Sequence, residues 1–301
     1  MQFLLGELQM PVATSALEAE KQLAVPETDA LVKNIGIPPR PSVLVSLQQE
    51  MVTDDPNLRR IASLVASDVA MTVALLKVVN SPMFALSRQC ESVDQAINML
   101  GLKQVSGIVT GLILRKVLRT DGPMLTRFWD VSAKRSYAMS RLARGLGGVD
   151  LDIAQSFGLF CDVGIPLLMQ RFSDYGKTLK ACNDEPSKSF TEVEQAHHNT
   201  DHALIGGIMA RSWGMSPTLS LAIRLHHDYS IFHDPKVPDT VMRLIAMSLV
   251  AEISIQRFAG MNTSTEWNKG GDYAASALML NDQDVDDWIE RLLEDFAVGK
   301  A

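Results

Sequence analysis

A polar capping residue followed by a short apolar stripe of helical period recurs along almost the whole chain, and few β-branched runs alternate as strands do. Ser216-Pro217 is the clearest start signal: Ser216 caps and Pro217 takes the first helical position ahead of TLSLAIRLHH. In SVDQAINMLG, Ser92 has Gln95 three residues on, the spacing of a capping box, and Gly101 closes the helix. Asp68 opens DVAMTVALLKVVN, which Ser81-Pro82 stops. In DDPNLRRIASLV, Asp55 is expected to cap and Pro56 to sit at the first position, with Leu58, Ile61, Leu64 and Val65 as the stripe. PSVLVSLQQEM puts Val43, Leu44, Leu47 and Met51 on one face, and LKQVSGIVTGLILRKVL makes one more apolar helix. The rigid IGIPPRP, Ile35 to Pro41, cannot be helical throughout.

TDGPM (120–124) is the best internal boundary. Beyond it a long helix is expected from about Leu125 to Leu146, closed by GLGG, and another from about Leu151 to Met169. Further helices follow Asp201-His202 and run from Pro238 to about Phe258. The acidic NDQDVDDWIERLLEDF carries Val285, Trp288, Ile289, Leu292 and Leu293 on its apolar side. YGKTLKACNDEPSKS is polar and turn-rich and is expected to be a loop or a frayed helix end. The expected organisation is a leader (1–34), an N-terminal helical subdomain (35–120), a helical core (121–260) and an acidic helical tail (261–301).

A net charge of −7 argues against broad nucleic-acid binding, which needs a basic surface. No run approaches ~18 uninterrupted apolar residues, so no membrane span is expected. Cys90, Cys161 and Cys182 form no C-x-x-C pair and read as free thiols of a reducing cytoplasm. There is no G-x-S-x-G elbow and no phosphate-cradling Gly-rich loop.

One stretch resists a purely structural reading. GLFCDVGIPLL, residues 158–168, sets Asp162 beside Cys161 in an otherwise buried helical run. A buried carboxylate must be paired or bound to a cation. The remaining candidates are histidines. His198 and His202 are four apart, but Asn199-Thr200-Asp201 is capping material that separates two helices. His226 and His227 are adjacent near a helix end, so about 100° apart, and only one is expected to face inward. His233 is expected at the surface.

GLFCDVGI resembles the G-L-x-H-D-I-G-K segment of HD-domain metal-dependent phosphohydrolases, whose adjacent His and Asp hold a divalent metal. DHALIGGIMARSWGMSPTLSLAIRLHH resembles the corresponding run of a non-catalytic branch, the HDOD (HD-related output) domain. SLQQEMVTDDPNLRRIASLVASDVAMTVALLKVVNSPMF, followed by SVDQAINMLGL, is similar to that branch's helical signature, and the likeness covers roughly residues 36–260. It implies an all-α, HD-domain/phosphodiesterase-like helical bundle with an N-terminal helical subdomain. Ligand positions of the hydrolases are altered. No His stands near Val131, Cys161 replaces the His of the doublet, Ile165 replaces the Lys, and Met247 and Ser248 stand where the last Asp belongs, with Glu252 a turn further on.

The resemblance therefore implies a non-enzymatic bacterial signalling module with no catalytic residue, no metal and no cofactor. Cys161, Asp162, His202, His226 and His227 would line a vestigial pocket, with Asp162 satisfied by an imidazole of His202 or His226. Expected partners are sensor kinases, response regulators or cyclic-dinucleotide enzymes, with a homodimer as a further expectation and neither nucleic acid nor membrane. The alternative is a divergent metal-dependent phosphohydrolase acting on nucleotides or phosphoesters, with Cys161, Asp162, His202 and one of His226 and His227 as a zinc set.

Overall fold

The computed structural model describes residues 15–24, 35–51, 53, 55–81, 84, 86–118, 123–261 and 263–298. Among the described residues the regular elements are helices, with no strand. The chain divides into two compact units, Met1–Pro38 with Thr120–Glu290, and Pro39–Arg119 with Arg291–Ala301. Most of the leader (1–14 and 25–34), Pro82 and residues 120–122 of the expected boundary lie outside the described residues.

The helix α1 (Ala16–Ala24) belongs to the first unit. The second unit holds α2 (Ser42–Met51), α3 (Leu58–Ala66), α4 (Val69–Val79), α5 (Val93–Leu100) and α6 (Leu102–Val117). Here α3 packs on α2, α4 and α5, and α6 packs on α2, α4 and α5. Leu44, Ile61, Leu75, Ile113 and Leu114 are fully buried between them. Ser92 caps α5 by accepting from Gln95 N, as its spacing predicts. Asn80 ends α4 and reaches ahead: its Nδ2 donates to Cys90 O at 2.8 Å and its Oδ1 accepts from Cys90 N at 2.7 Å. One expectation fails at α3. The cap is Asn57, which accepts from Arg60 N, not Asp55 followed by Pro56. The two-residue shift turns Leu58 out to 43% exposure, and the buried stripe becomes Ile61, Ala62 and Val65.

The first unit continues with α7 (Pro123–Leu146), α8 (Leu151–Phe160), α9 (Gly164–Arg171), α10 (Tyr175–Asp184), α11 (Phe190–His198), α12 (His202–Ser212) and α13 (Pro217–Leu225). A 3₁₀ turn (Tyr229–His233), α14 (Asp239–Phe258) and α15 (Thr265–Leu278) follow. The acidic helix α16 (Asp282–Val298) starts in this unit, and its turns from Arg291 are grouped with the second. Within the first unit α7 packs on α8 and α14, α12 on α9 and α13, α14 on α13 and α15, and α1 lies on α12 and α13.

The 21-residue stretch Leu151–Arg171 is apolar enough to span a bilayer by composition, but 67% of its most apolar window is buried, as in a core helix. A turn at 161–163 also divides it, so the single helix expected there is two. The supposed loop from Tyr175 is the helix α10. Its inward face is Tyr175, Thr178 and Cys182, a helical spacing hidden because two of the three residues are polar.

Two close backbone approaches fix the region around Asp162. A Cβ at Gly158 would lie 2.6 Å from Ser136 Cα and 2.9 Å from the Arg135 carbonyl carbon, so only glycine lets α8 meet α7 there. A Cβ at Gly164 would lie 2.1 Å from the His202 carbonyl oxygen, so α9 rests directly on the start of α12. Gly164→Ala must push backbone apart and is expected to cost about 3 kcal/mol or more. At Gly176, early in α10, the nearest atom to an added Cβ is Met124 Cε at 3.4 Å, at the end of a flexible side chain. Gly176→Ala is expected to leave stability unchanged or raise it by up to about 1 kcal/mol. Urea unfolding followed by far-UV circular dichroism measures both, and only Gly164→Ala should lower stability.

Candidate functional site

Asp162 sits on the turn between α8 and α9, where the chain leaves one helix at Cys161 and enters the next through Val163. Facing it from the middle of α7 is Arg135, which is 6% exposed. The guanidinium meets Asp162 Oδ2 at 2.7 Å, donates from Nη2 to Glu252 Oε2 at 2.8 Å, and donates from Nη1 to Cys161 Sγ at 3.0 Å. Burial alone would raise the Asp162 pKa. Arg135, with hydrogen bonds from His202 and His226, instead holds it well below the usual carboxylate range. Burial pushes the Cys161 thiol up despite the neighbouring guanidinium, so the sulfur is an uncharged acceptor and no nucleophile.

The other oxygen of Asp162 faces imidazoles. His202 is the first residue of α12, placed there by Asn199 in the left-handed conformation (φ 56°) and by the cap Asp201, which accepts from Leu204 N at 2.7 Å. Glu194 of α11 accepts from both the backbone N–H of His202 (3.1 Å) and its Nδ1 (2.7 Å). Tyr175 OH donates to the other oxygen of Glu194. His226 ends α13, and its Nδ1 donates to Ile223 O at 2.7 Å. His227 Nδ1 meets Glu266 Oε2 at 2.7 Å, an oxygen that also accepts from Tyr229 OH at 2.5 Å, while Lys269 Nζ pairs with the other at 3.0 Å.

All three Nδ1 atoms are thus engaged outward. His226 Nε2 lies 3.2 Å from both Asp162 Oδ1 and His202 Nε2, and His202 Nε2 lies 3.6 Å from the same Asp162 oxygen. A backbone carbonyl only accepts, so His226 carries its proton on Nδ1 and presents a bare lone pair at Nε2. Burial and the neighbouring His227 and His202 push His226 down to about 4. For His202 burial acts the same way, but Glu194 and Asp162 outweigh it and raise the pKa to about 10. At neutral pH His202 is therefore the imidazolium, and its Nε2–H is the proton that His226 and Asp162 share.

The structure brings Asp162, His202 and His226 together, with Cys161 beside them. Both members of the histidine doublet belong to it. The helix ends at Leu225, so the 100° separation of adjacent helical residues does not apply to His226 and His227. His198 does not join: the break at Asn199 turns it toward Thr178 Oγ1, 2.8 Å from its Nε2. His233 is exposed, with its ring edge-on to Tyr273. Arg135, Glu194, Tyr229 and Glu266 carry much of the geometry and are absent from the sequence reading. Arg135 had a findable signal, since it stands one helical turn after Val131, where a ligand His was sought.

The hydrolases resembled by this chain hold a divalent cation, and the donor set tests whether one fits. Asp162, His202, His226 and His227 offer four ligand atoms within 4.8 Å of one another. Three imidazoles and a carboxylate suit zinc or a neighbouring transition metal rather than magnesium or calcium. Cys161 is not of the set, because its sulfur faces Arg135. Fit of an ion and competence for hydrolysis are separate matters, since hydrolysis also needs an open position for water.

The sequence model of the HDOD domain matches residues 37–229. A Treponema pallidum (strain Nichols) protein of uncharacterised role is 25% identical over 226 residues, 74% of this chain, and this chain spans 43% of its length. Among solved structures, a protein of Marinobacter aquaeolei VT8 named for signal transduction superposes with a TM-score of 0.72 at 18% identity, over 96% of this chain and 66% of the other. An HDOD domain protein of unknown function from Geobacter sulfurreducens gives 0.70 at 17% identity, over 95% and 98%. A Shewanella amazonensis SB2B protein named as a phosphohydrolase gives 0.67 at 19%, over 90% and 97%. At these identities the structural likeness is one of fold, and both a signalling name and a hydrolase name occur on it. With the family match spanning well over half of its residues and the altered HD doublet at the centre of its site, the chain belongs to the HDOD domain family.

Proposed function

We propose that this chain is a non-enzymatic regulatory module of bacterial signal transduction, working through protein contacts or a small ligand seated in the altered HD pocket. The observation that supports it most is Arg135. An HD-type hydrolytic centre needs its carboxylates for cations that activate water. Here the carboxylate of the doublet gives one whole oxygen to a fixed guanidinium, which also takes Glu252 and the sulfur standing in the histidine's place. The signalling name of the Marinobacter protein is consistent with this reading. Sensor kinases, response regulators and cyclic-dinucleotide enzymes remain the proposed partners, by analogy of fold.

The competing reading, a divergent phosphohydrolase, draws on the four convergent donors and the Shewanella protein's name. A screen of phosphomonoesters, phosphodiesters and cyclic nucleotides with magnesium, manganese, iron(II) or zinc separates the two. No turnover above that of the Asp162→Asn variant is expected. Hydrolysis that vanishes in Asp162→Asn while melting is unchanged would refute the regulatory proposal.

Arg135 and Asp162 should also differ as structural elements. Asp162→Ala leaves Arg135 its Glu252 partner and is expected to cost about 1–3 kcal/mol. Arg135→Ala strands Asp162 and Glu252 side by side around an empty volume and is expected to cost more, about 3–5 kcal/mol. Chemical denaturation of the two variants measures the order, and an Arg135→Ala protein as stable as wild type would show that the guanidinium is dispensable.

A further inference from the structure

We propose that the pocket is a mononuclear transition-metal site, with Asp162, His202, His226 and His227 as ligands and Arg135 as a permanent cation in place of a second metal. This names an occupant for the pocket that the regulatory reading invokes, and rests on that reading only in treating the ion as a ligand and not as a catalyst.

Ligand spacing is the first argument. Four ligands at about 2.0–2.1 Å from a tetrahedral ion lie about 3.3–3.4 Å from one another. The three contacts among Asp162 Oδ1, His202 Nε2 and His226 Nε2 are 3.2, 3.2 and 3.6 Å, close to one face of such a tetrahedron. His227 supplies the fourth donor within 4.8 Å of the rest.

Orientation is the second. Each ring is held through Nδ1 by a separate acceptor, Glu194, Ile223 O and Glu266, all at 2.7 Å. Metal-ligating histidines are oriented in this way, with the outer N–H on a carboxylate or carbonyl and Nε2 left for the ion. His226 Nε2 and Asp162 Oδ1 are two acceptors facing each other at 3.2 Å, which calls for something positive between them. An ion bound there would displace the proton that otherwise bridges these atoms.

Arg135 sets the count at one. Asp162 turns Oδ1 to the imidazoles and Oδ2 to the guanidinium, as a bridging carboxylate does between two cations. The side that a second ion would need is filled by a group that also binds Glu252 and Cys161. A planar organic cation cannot activate water, so this centre keeps the charge of a two-cation site without its second Lewis acid.

The test is titration of the full-length, chelator-treated protein with cobalt(II) and zinc(II), followed by visible absorption, elemental analysis and melting temperature. Expected are one equivalent of either ion, the intense visible bands of low-coordinate cobalt(II) and a raised melting temperature, with no response to magnesium or calcium. His227→Gln, at the least buried of the three rings, should weaken binding at least 10-fold. Glu266→Gln, which acts on His227 only by positioning it, should weaken it about 10–100-fold and shift the cobalt spectrum. His198→Gln, outside the cluster, should bind as wild type does. No stoichiometric binding, or binding indifferent to His227→Gln, would overturn the site. Two equivalents in the wild type would overturn the role given to Arg135. Turnover in the ester screen would sink the regulatory reading and leave this one standing, whereas absence of both metal and turnover sinks this one alone.

Discussion

A carboxylate withdrawn from water needs positive charge within reach, and Asp162 has it on two sides. The guanidinium of Arg135 takes one oxygen and the His202–His226 pair the other, so helices far apart in sequence are held to one point. Removing any one of these groups changes what the others must do. Without Arg135, Asp162 and Glu252 would repel. Without Asp162, the proton on His202 would have only His226 to receive it. Low dielectric strengthens such a network when it is complete and penalises it when it is not, which makes the cluster a device for specifying one arrangement of helices.

The scaffold holds that geometry partly through close backbone contacts. Gly158 and Gly164 let α8 and α9 touch the backbones of α7 and α12, which carry Arg135 and His202. Helix ends do the rest. His202 opens a helix, His226 closes one, and Asp162 lies between two, so the functional side chains sit where the regular ladder stops. At such positions side-chain and backbone polar groups meet, as when Glu194 accepts from both the ring and the main chain of His202.

Much of this was legible in the sequence, for identifiable reasons. Caps at Asp68, Ser92 and Ser216 act locally, and their helices begin where the spacing says. Asp162 announced itself because an acid in an apolar helical run is costly. Other features depend on contacts no local pattern encodes. Arg135 is one of several basic residues along a long helix, and only the crossing at Gly158 sets it against Asp162. The helix α10 was hidden because Tyr175 and Thr178 are buried by their bonds to Glu194 and His198, not by apolarity. Glu266 lies beyond the span that resembles the family, and nothing in TEWNKGGDY points at a histidine 39 residues earlier.

The order in which the chain supplies these charges has its own consequence. Arg135 is made well before Glu252, and the imidazole of His227 before Glu266, so a nascent chain carries an electrically incomplete centre until α15 has left the ribosome. Gln22 lies at the opposite extreme. Its Oε1 accepts from Arg224 Nε at 2.8 Å, and Arg224 approaches Asp201, the cap that sets His202, at 3.6 Å. The earliest described helix is therefore wired to the His202 side of the pocket. A fragment trimmed to residues 37–229 would carry the family's motifs yet lack Gln22, Glu252 and Glu266, leaving the recognisable half of a site whose hydrogen-bonding partner lies before it and whose counter-charges lie after it.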